Sequence, residues 1–183
     1  MIRRLTMLLA FVAGMLLATA QPAAAQGTLT GPLKTQWENT RTLVLNMAEM
    51  IPEEKYDWKP TPEVRSFRDQ LVHLVQENYM YMGFAAGEPQ DTSRFNNLKT
   101  KAEILPALKE SYEYGAKVWA GIDEKKALEM VSVRNNQTPR WQPILANIVD
   151  NMDHYGNLVV YVRLNGMVPP RTAARQQQPP PQR

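Results

Sequence analysis

Few side chains in this sequence can offer a metal an imidazole nitrogen or thiolate sulfur donor or exchange a proton near neutral pH. Of 183 residues two are histidine, His73 and His154, and none is cysteine. Without cysteine there is no thiolate nucleophile, no thiolate zinc site and no disulfide. Asp150 stands four residues before His154, and side chains at i and i+4 share a helix face, so this carboxylate and imidazole can converge. Two imidazoles and one carboxylate, with positions left open for water, suit zinc, nickel or iron(II). His73, Asp150 and His154 are therefore the candidate metal ligands. The spacing is equally met by two unrelated surface imidazoles, because any helix can carry Asp-x-x-x-His by chance. No catalytic residue is singled out, since neither a Ser-His-Asp order nor a phosphate loop is visible.

Four amphipathic helices are expected to position these residues. The first spans about 32–51, capped by Thr30 or Gly31, with Leu33, Trp37, Val44, Ala48 and Ile51 on one face and Pro52 ending it. The second starts at Ser66, whose partner three residues on, Asp69, completes a capping box. Its apolar side holds Phe67, Leu71, Leu74, Val75, Asn78, Tyr81 and Met82. The third begins at Thr100, with Glu103 as the box acid, and stops at Gly121. A charged turn and a brief extended piece over 130–133 follow. The last helix has Thr138 as cap, Pro139 as first residue and Gly166 as stop, with Ile144, Leu145, Ile148, Met152, Tyr155, Val159 and Val162 as its apolar stripe. On the helical wheel His154 and Asp150 fall with Asn147 and Tyr161, roughly opposite that stripe, so each histidine is expected to line a side cleft or solvent. The fold class expected is all-α, a four-helix bundle over residues 28–168.

The two ends read differently. A basic start (Arg3, Arg4), a short apolar run and an Ala-x-Ala site closing at Ala25 make residues 1–25 a secretory signal peptide. The apolar run is shorter than the roughly 20 residues of a spanning helix, so no stable membrane anchor is expected. The mature protein is expected to be exported, periplasmic or secreted. Residues 169–183, rich in proline and glutamine, are expected to be a disordered tail. Five of the 21 basic residues are arginines at these ends, and none of the 18 acidic residues is there. The body thus carries 16 basic against 18 acidic groups, which gives no footprint for nucleic acid.

Two runs carry a resemblance. Lys59-Pro60-Thr61-Pro62-Glu63-Val64-Arg65-Ser66-Phe67, with Leu71-Val72-His73 and Glu77-Asn78-Tyr79, resembles the second-helix region of the DinB-like superfamily. Asp153-His154-Tyr155-Gly156-Asn157 and the run from Val160 to Pro170 resemble that family's last helix and exit. The resemblance covers roughly 30–170 and implies a DinB-type bundle, often dimeric. Members commonly hold a divalent metal with three histidines, one from the second helix and two from a His-x-x-x-His pair on the last. Some are transferases or isomerases that use low-molecular-weight thiols. His73 matches the second-helix ligand and His154 the final one, whereas the middle position is Asp150. Aspartate also binds zinc, so the substitution leaves two outcomes open, a two-histidine, one-carboxylate site or a bundle without its metal.

Two functions follow. The first is an exported metal-binding bundle with a metal-dependent, thiol-dependent transferase or hydrolase activity on a small molecule. The second is a non-catalytic bundle that binds a ligand or partner. A homodimer is what the family resemblance implies.

Overall fold

The structure, a computed structural model, describes residues 28–177. The signal peptide expected over 1–25 lies outside the described residues, as does the end of the expected tail, 178–183. The elements in chain order are α1 (Thr30–Met50), α2 (Phe67–Ala86), α3 (Lys101–Ala120), α4 (Glu124–Ala127), the strands β1 (Met130–Val133) and β2 (Asn136–Pro139), α5 (Trp141–Leu164) and α6 (Pro170–Gln176). The long helices α1, α2, α3 and α5 form the expected four-helix bundle. Helix α2 packs most extensively against α3 and α5, and α1 closes the ring against α5 and α3. Among the described residues no helix is long and apolar enough to cross a membrane.

The helix starts follow local chemistry. Ser66 and Thr100 cap α2 and α3, each in a reciprocal box with the acid three residues on, Asp69 and Glu103. Both boxes satisfy backbone N–H groups that no intrahelical carbonyl can reach. Helix α1 departs from expectation. It begins at Thr30 without a side-chain cap of its own. The Glu124 carboxylate of α4 instead accepts from the Leu29 and Thr30 backbone N–H groups at 3.0 and 2.9 Å, so the cap arrives from 94 residues away.

The last long helix is corrected at its start. Thr138 and Pro139 belong to β2, which pairs antiparallel with β1 in register Val131↔Thr138 and Met130↔Pro139. The Arg140 N–H extends that ladder to the Glu129 carbonyl at 2.9 Å, and α5 begins only at Trp141. A four-residue strand partner without apolar alternation leaves no periodic trace. Gly166, at φ 72°, ends the helix region in a conformation open to glycine at little cost. The disordered tail expected from Pro169 is corrected over Pro170–Gln176, which is helical. Pro170 sits in the first turn with φ already set, Thr172 and Ala173 donate to the Pro169 carbonyl at 2.9 and 3.0 Å, and α6 packs on α1.

The core is built from Trp37, Val44, Met47, Phe67, Leu71, Leu74, Met82, Ile104, Leu108, Tyr112, Ile144 and Leu158, all buried. Trp37 demands space from α3, and Gly115 supplies it. A Cβ there would stand 2.5 Å from Trp37 Cζ2 and 3.2 Å from Cη2. The indole cannot swing away, because its Nε1–H donates to Asn147 Oδ1 at 3.0 Å and its ring meets Tyr112 edge-on. Gly115→Ala should therefore destabilise the protein by about 1–3 kcal/mol through overpacking, read as a lower urea midpoint.

Candidate metal centre

Helix α2 and helix α5 face one another along most of their length, and the candidate ligands sit on the facing sides. One ligand atom from each of His73, Asp150 and His154 lies within 4.8 Å of the other two. The imidazole rings are 4.6 Å apart between centroids and nearly edge-on. The structure thus brings together the three residues singled out from the sequence.

His154 is not at a side cleft, as the wheel suggested, but inside the bundle, 5% exposed. Its Nδ1 bonds to the Oε1 of the buried Gln70 of α2. An amide oxygen can only accept, so Nδ1 carries the proton and the Nε2 lone pair is left facing Asp150, whose Oδ1 stands 3.7 Å away. Asp150 itself has one oxygen, Oδ2, that is buried and without a hydrogen-bond partner. A buried carboxylate oxygen in that condition costs about 1–3 kcal/mol. His73 is half-buried, with Nε2 3.8 Å from Glu77 Oε1 one turn on.

Burial dominates the electrostatics. It pushes the His73 imidazole down to about 4, helped by the positive charge of Arg65 and then His154. Burial, then Arg65, holds His154 low as well. Both rings are therefore neutral at pH 7 and offer lone pairs. Burial raises Asp150, and burial followed by the Asp150 charge raises Glu77. An unfolded histidine titrates near 6.5, so between about pH 6.5 and 4 the unfolded chain binds more protons than the folded one. Metal-free stability should accordingly be level above pH 6.5 and fall below it, by about 3 kcal/mol at pH 4 from His73 alone. The raised carboxyls of Asp150 and Glu77 take up protons in the folded state and trim that loss. Urea midpoints at pH 7, 5.5 and 4.5 check the direction.

The donor set fits a divalent metal. Two donors of one zinc stand no more than about 4 Å apart, so the 4.8 Å envelope needs to close by under about an ångström. The unpartnered Asp150 Oδ2 and the free Nε2 of His154 are the groups that would gain a partner. Gln70 would hold the His154 ring in its ligating tautomer. Groups that orient a ligand this way typically contribute 10–100-fold in metal affinity, so Gln70→Ala should weaken zinc binding by about that factor, measured by competition with a chelating indicator. Gln70 carries no sequence signal beyond standing one turn before His73, on the same face.

The other polar neighbours sort differently. Asp69 is engaged in the α2 capping box with Ser66, and Asp153 is exposed. Tyr161 does not reach the ligands. Its OH donates to the Arg65 carbonyl at 2.9 Å, and its ring packs against Trp58 and Phe67 at 5.6 and 5.4 Å. Sequence reasoning also missed a buried polar network beside the site. Asn147 and Asn151 of α5 each donate to Asn78 Oδ1 of α2, at 2.9 and 3.0 Å, and Asn78 donates to Ser111 Oγ at 2.9 Å. Tyr112 donates to Asn151 Oδ1.

The chain is a four-helix bundle with two imidazoles and a carboxylate gathered between its second and last long helices, the place where metal sites are built in those bundles that carry one. The DinB family profile matches residues 28–182, so the chain belongs to the DinB family. No curated protein matches it. Among solved structures, it is similar to a DinB-like protein of Bacillus cereus, with TM-score 0.69 and 13% identity over 78% of this chain and 96% of that one. It is also similar to a DinB-like protein of Bacillus subtilis, with TM-score 0.62 and 19% identity over 75% of this chain and 93% of that one. At these identities the likeness concerns the fold.

Proposed function

We propose that this DinB-family chain is an exported protein that holds a divalent metal (zinc, nickel or iron) on His73, Asp150 and His154. On this reading it uses the metal in a thiol-dependent transfer or hydrolysis of a small molecule. The observation that carries the reading is the convergence of those three donors within 4.8 Å, with one Asp150 oxygen buried and unpartnered. When bound, the metal supplies Lewis acidity that lowers the pKa of a thiol or water. The protein's own part is threefold. Neutral His73 and His154 donate lone pairs, Gln70 fixes the His154 tautomer, and Glu77, raised by burial, stands 3.8 Å from His73 as a carboxylate able to accept a proton. Export is supported by the sequence of residues 1–25 alone, and a mature N-terminus at Gln26 is its test.

Metal analysis of the untagged protein after zinc loading decides the main point. One ion per chain, lost in His154→Ala, is expected, and no bound transition metal ends the reading. Turnover of an electrophile with a low-molecular-weight thiol, dependent on the metal, then separates the enzyme from a non-catalytic metal-binding bundle.

A further inference from the structure

We propose that the cavity on the α2 side of His73 is the docking site for a small anionic molecule, its carboxylate or phosphate group received by Arg65 and Lys99. The cavity has a volume of about 650 Å³, the size of a metabolite pocket. It lies between the first half of α2 and the chain that enters α3, and His73 forms part of its wall. As a substrate site it rests on the metal reading above, because His73 is the residue the two share.

The charges in that wall are unequally engaged. Arg68 is paired with Asp57 and Asp69, and Asp69 is further committed to the Ser66 N–H at 3.3 Å. These groups satisfy one another and leave one net negative charge at that side of the wall. Arg65 and Lys99 also line the cavity, and among the described residues neither side chain makes an ion pair or a hydrogen bond. Two cations without a direct ion-pair partner therefore remain, although Arg65 also feels the Glu77 and Asp150 carboxylates and Lys99 that of Glu103. Their backbones are fixed. The Arg65 carbonyl accepts from Tyr161 OH at 2.9 Å, and the Lys99 N–H donates to Glu103 at 2.9 Å. Gln76 donates to Asn96 Oδ1 at 2.6 Å, tying the loop to α2 across the cavity. The Arg65 charge also reaches both imidazoles, where it helps to keep them neutral. The cavity wall thus offers two cations on anchored backbones and a candidate ligating histidine, an arrangement for a molecule that carries both an acidic group and a reacting group. Guanidinium and ammonium groups bind carboxylate and phosphate through charge-assisted hydrogen bonds.

Calorimetric titration of the full chain, zinc-free and zinc-loaded, with succinate, inorganic phosphate and the neutral diamide of succinate tests this. Succinate or phosphate should bind, and whichever binds more tightly identifies the acidic group. The diamide should bind at least about tenfold more weakly than succinate, and Arg65→Ala and Lys99→Ala should each weaken anion binding by about tenfold, the effect of one lost charge-assisted bond. Zinc stoichiometry should not change in either variant, and Arg65→Lys should keep most of the affinity. Neither side chain is part of the core, so both variants should fold, which a melting curve verifies. The proposal is overturned if neither anion binds, if the diamide binds as well as succinate, or if both alanine variants bind like the parent. Anion binding that depends on Arg65 and Lys99 in a chain that takes up no zinc would sink the metal reading and leave this site standing. Zinc binding without anion binding would do the reverse.

Discussion

Asp150→Ala is expected to weaken zinc binding by at least about 100-fold, the upper end of what is lost when only an orienting neighbour is removed. The same change should leave the metal-free protein as stable as the parent or more stable. The two halves of this expectation come from one atom. Asp150 Oδ2 is buried without a partner, and burial already pushes the carboxyl upward. In the metal-free state that oxygen is a liability of about 1–3 kcal/mol, which alanine removes at the expense of some packing. A structural carboxylate would behave in the opposite way, because its removal would orphan the groups that bonded to it. Excess zinc separates the states further. At a free concentration about 100 times Kd, the parent should gain about 2.7 kcal/mol, and the variant almost nothing. Asp150→His is the companion experiment. It presents a third imidazole at the same position and should bind zinc at least as tightly as the parent. Equal zinc affinity in the parent and Asp150→Ala would show that the carboxylate is no ligand.

The sequence makes legible what is encoded locally. Ser66 with Asp69 and Thr100 with Glu103 mark helix starts because a cap is complete within four residues. Pairing across the bundle is not encoded that way. Glu124 caps α1 from 94 residues away, and β2 is four residues whose only partner is another short strand. Helix α5 shows the principle most clearly. Its hydropathy places the buried side on Ile144, Leu145 and Met152, yet Leu145 and Val149 are exposed while Asn147, Asn151 and His154 are buried. Asparagine counts as a surface residue until its partner is known. Here the partners are Asn78, Trp37 and Tyr112, 39 to 110 residues distant. The candidate ligands were legible for a different reason. Histidine is so scarce in this chain that each one is a candidate, and the four-residue step from Asp150 to His154 fixes their shared face. What the sequence could not supply was depth, which turns a plausible surface pair into a buried one with a fixed tautomer.

The buried asparagines set the register of the site, and breaking them should produce the largest loss of stability. Asn78 neighbours Glu77, and Asn147 and Asn151 bracket Asp150, so the bonds at 2.9 and 3.0 Å lock α2 against α5 at the level where the candidate ligands meet. Asn78→Leu keeps the volume and removes the acceptor. The Asn147 amide then loses its acceptor, Ser111 loses a donor, and the Asn151 amide nitrogen keeps only its bond to the Asn147 carbonyl at 2.8 Å. With one to two buried groups left unpaired at about 1–3 kcal/mol each, the expected cost is about 2–4 kcal/mol, a large share of the 5–15 kcal/mol typical of a domain. Asn147→Leu leaves the Trp37 indole N–H unpaired and Asn78 Oδ1 with Asn151 as its only donor, and should cost about 1–3 kcal/mol. The double variant is the decisive measurement. It removes both ends of the Asn78–Asn147 bond, so fewer unpaired groups remain than the single variants imply, and its loss should fall short of their sum by about 1–3 kcal/mol. Additive losses in urea melts would mean that these bonds do not act as a unit. Zinc affinity supplies the functional half of the test. If the network holds the two helices in step, Asn78→Leu weakens binding although it touches no ligand, whereas a network that serves stability alone leaves the affinity unchanged wherever the variant is still folded.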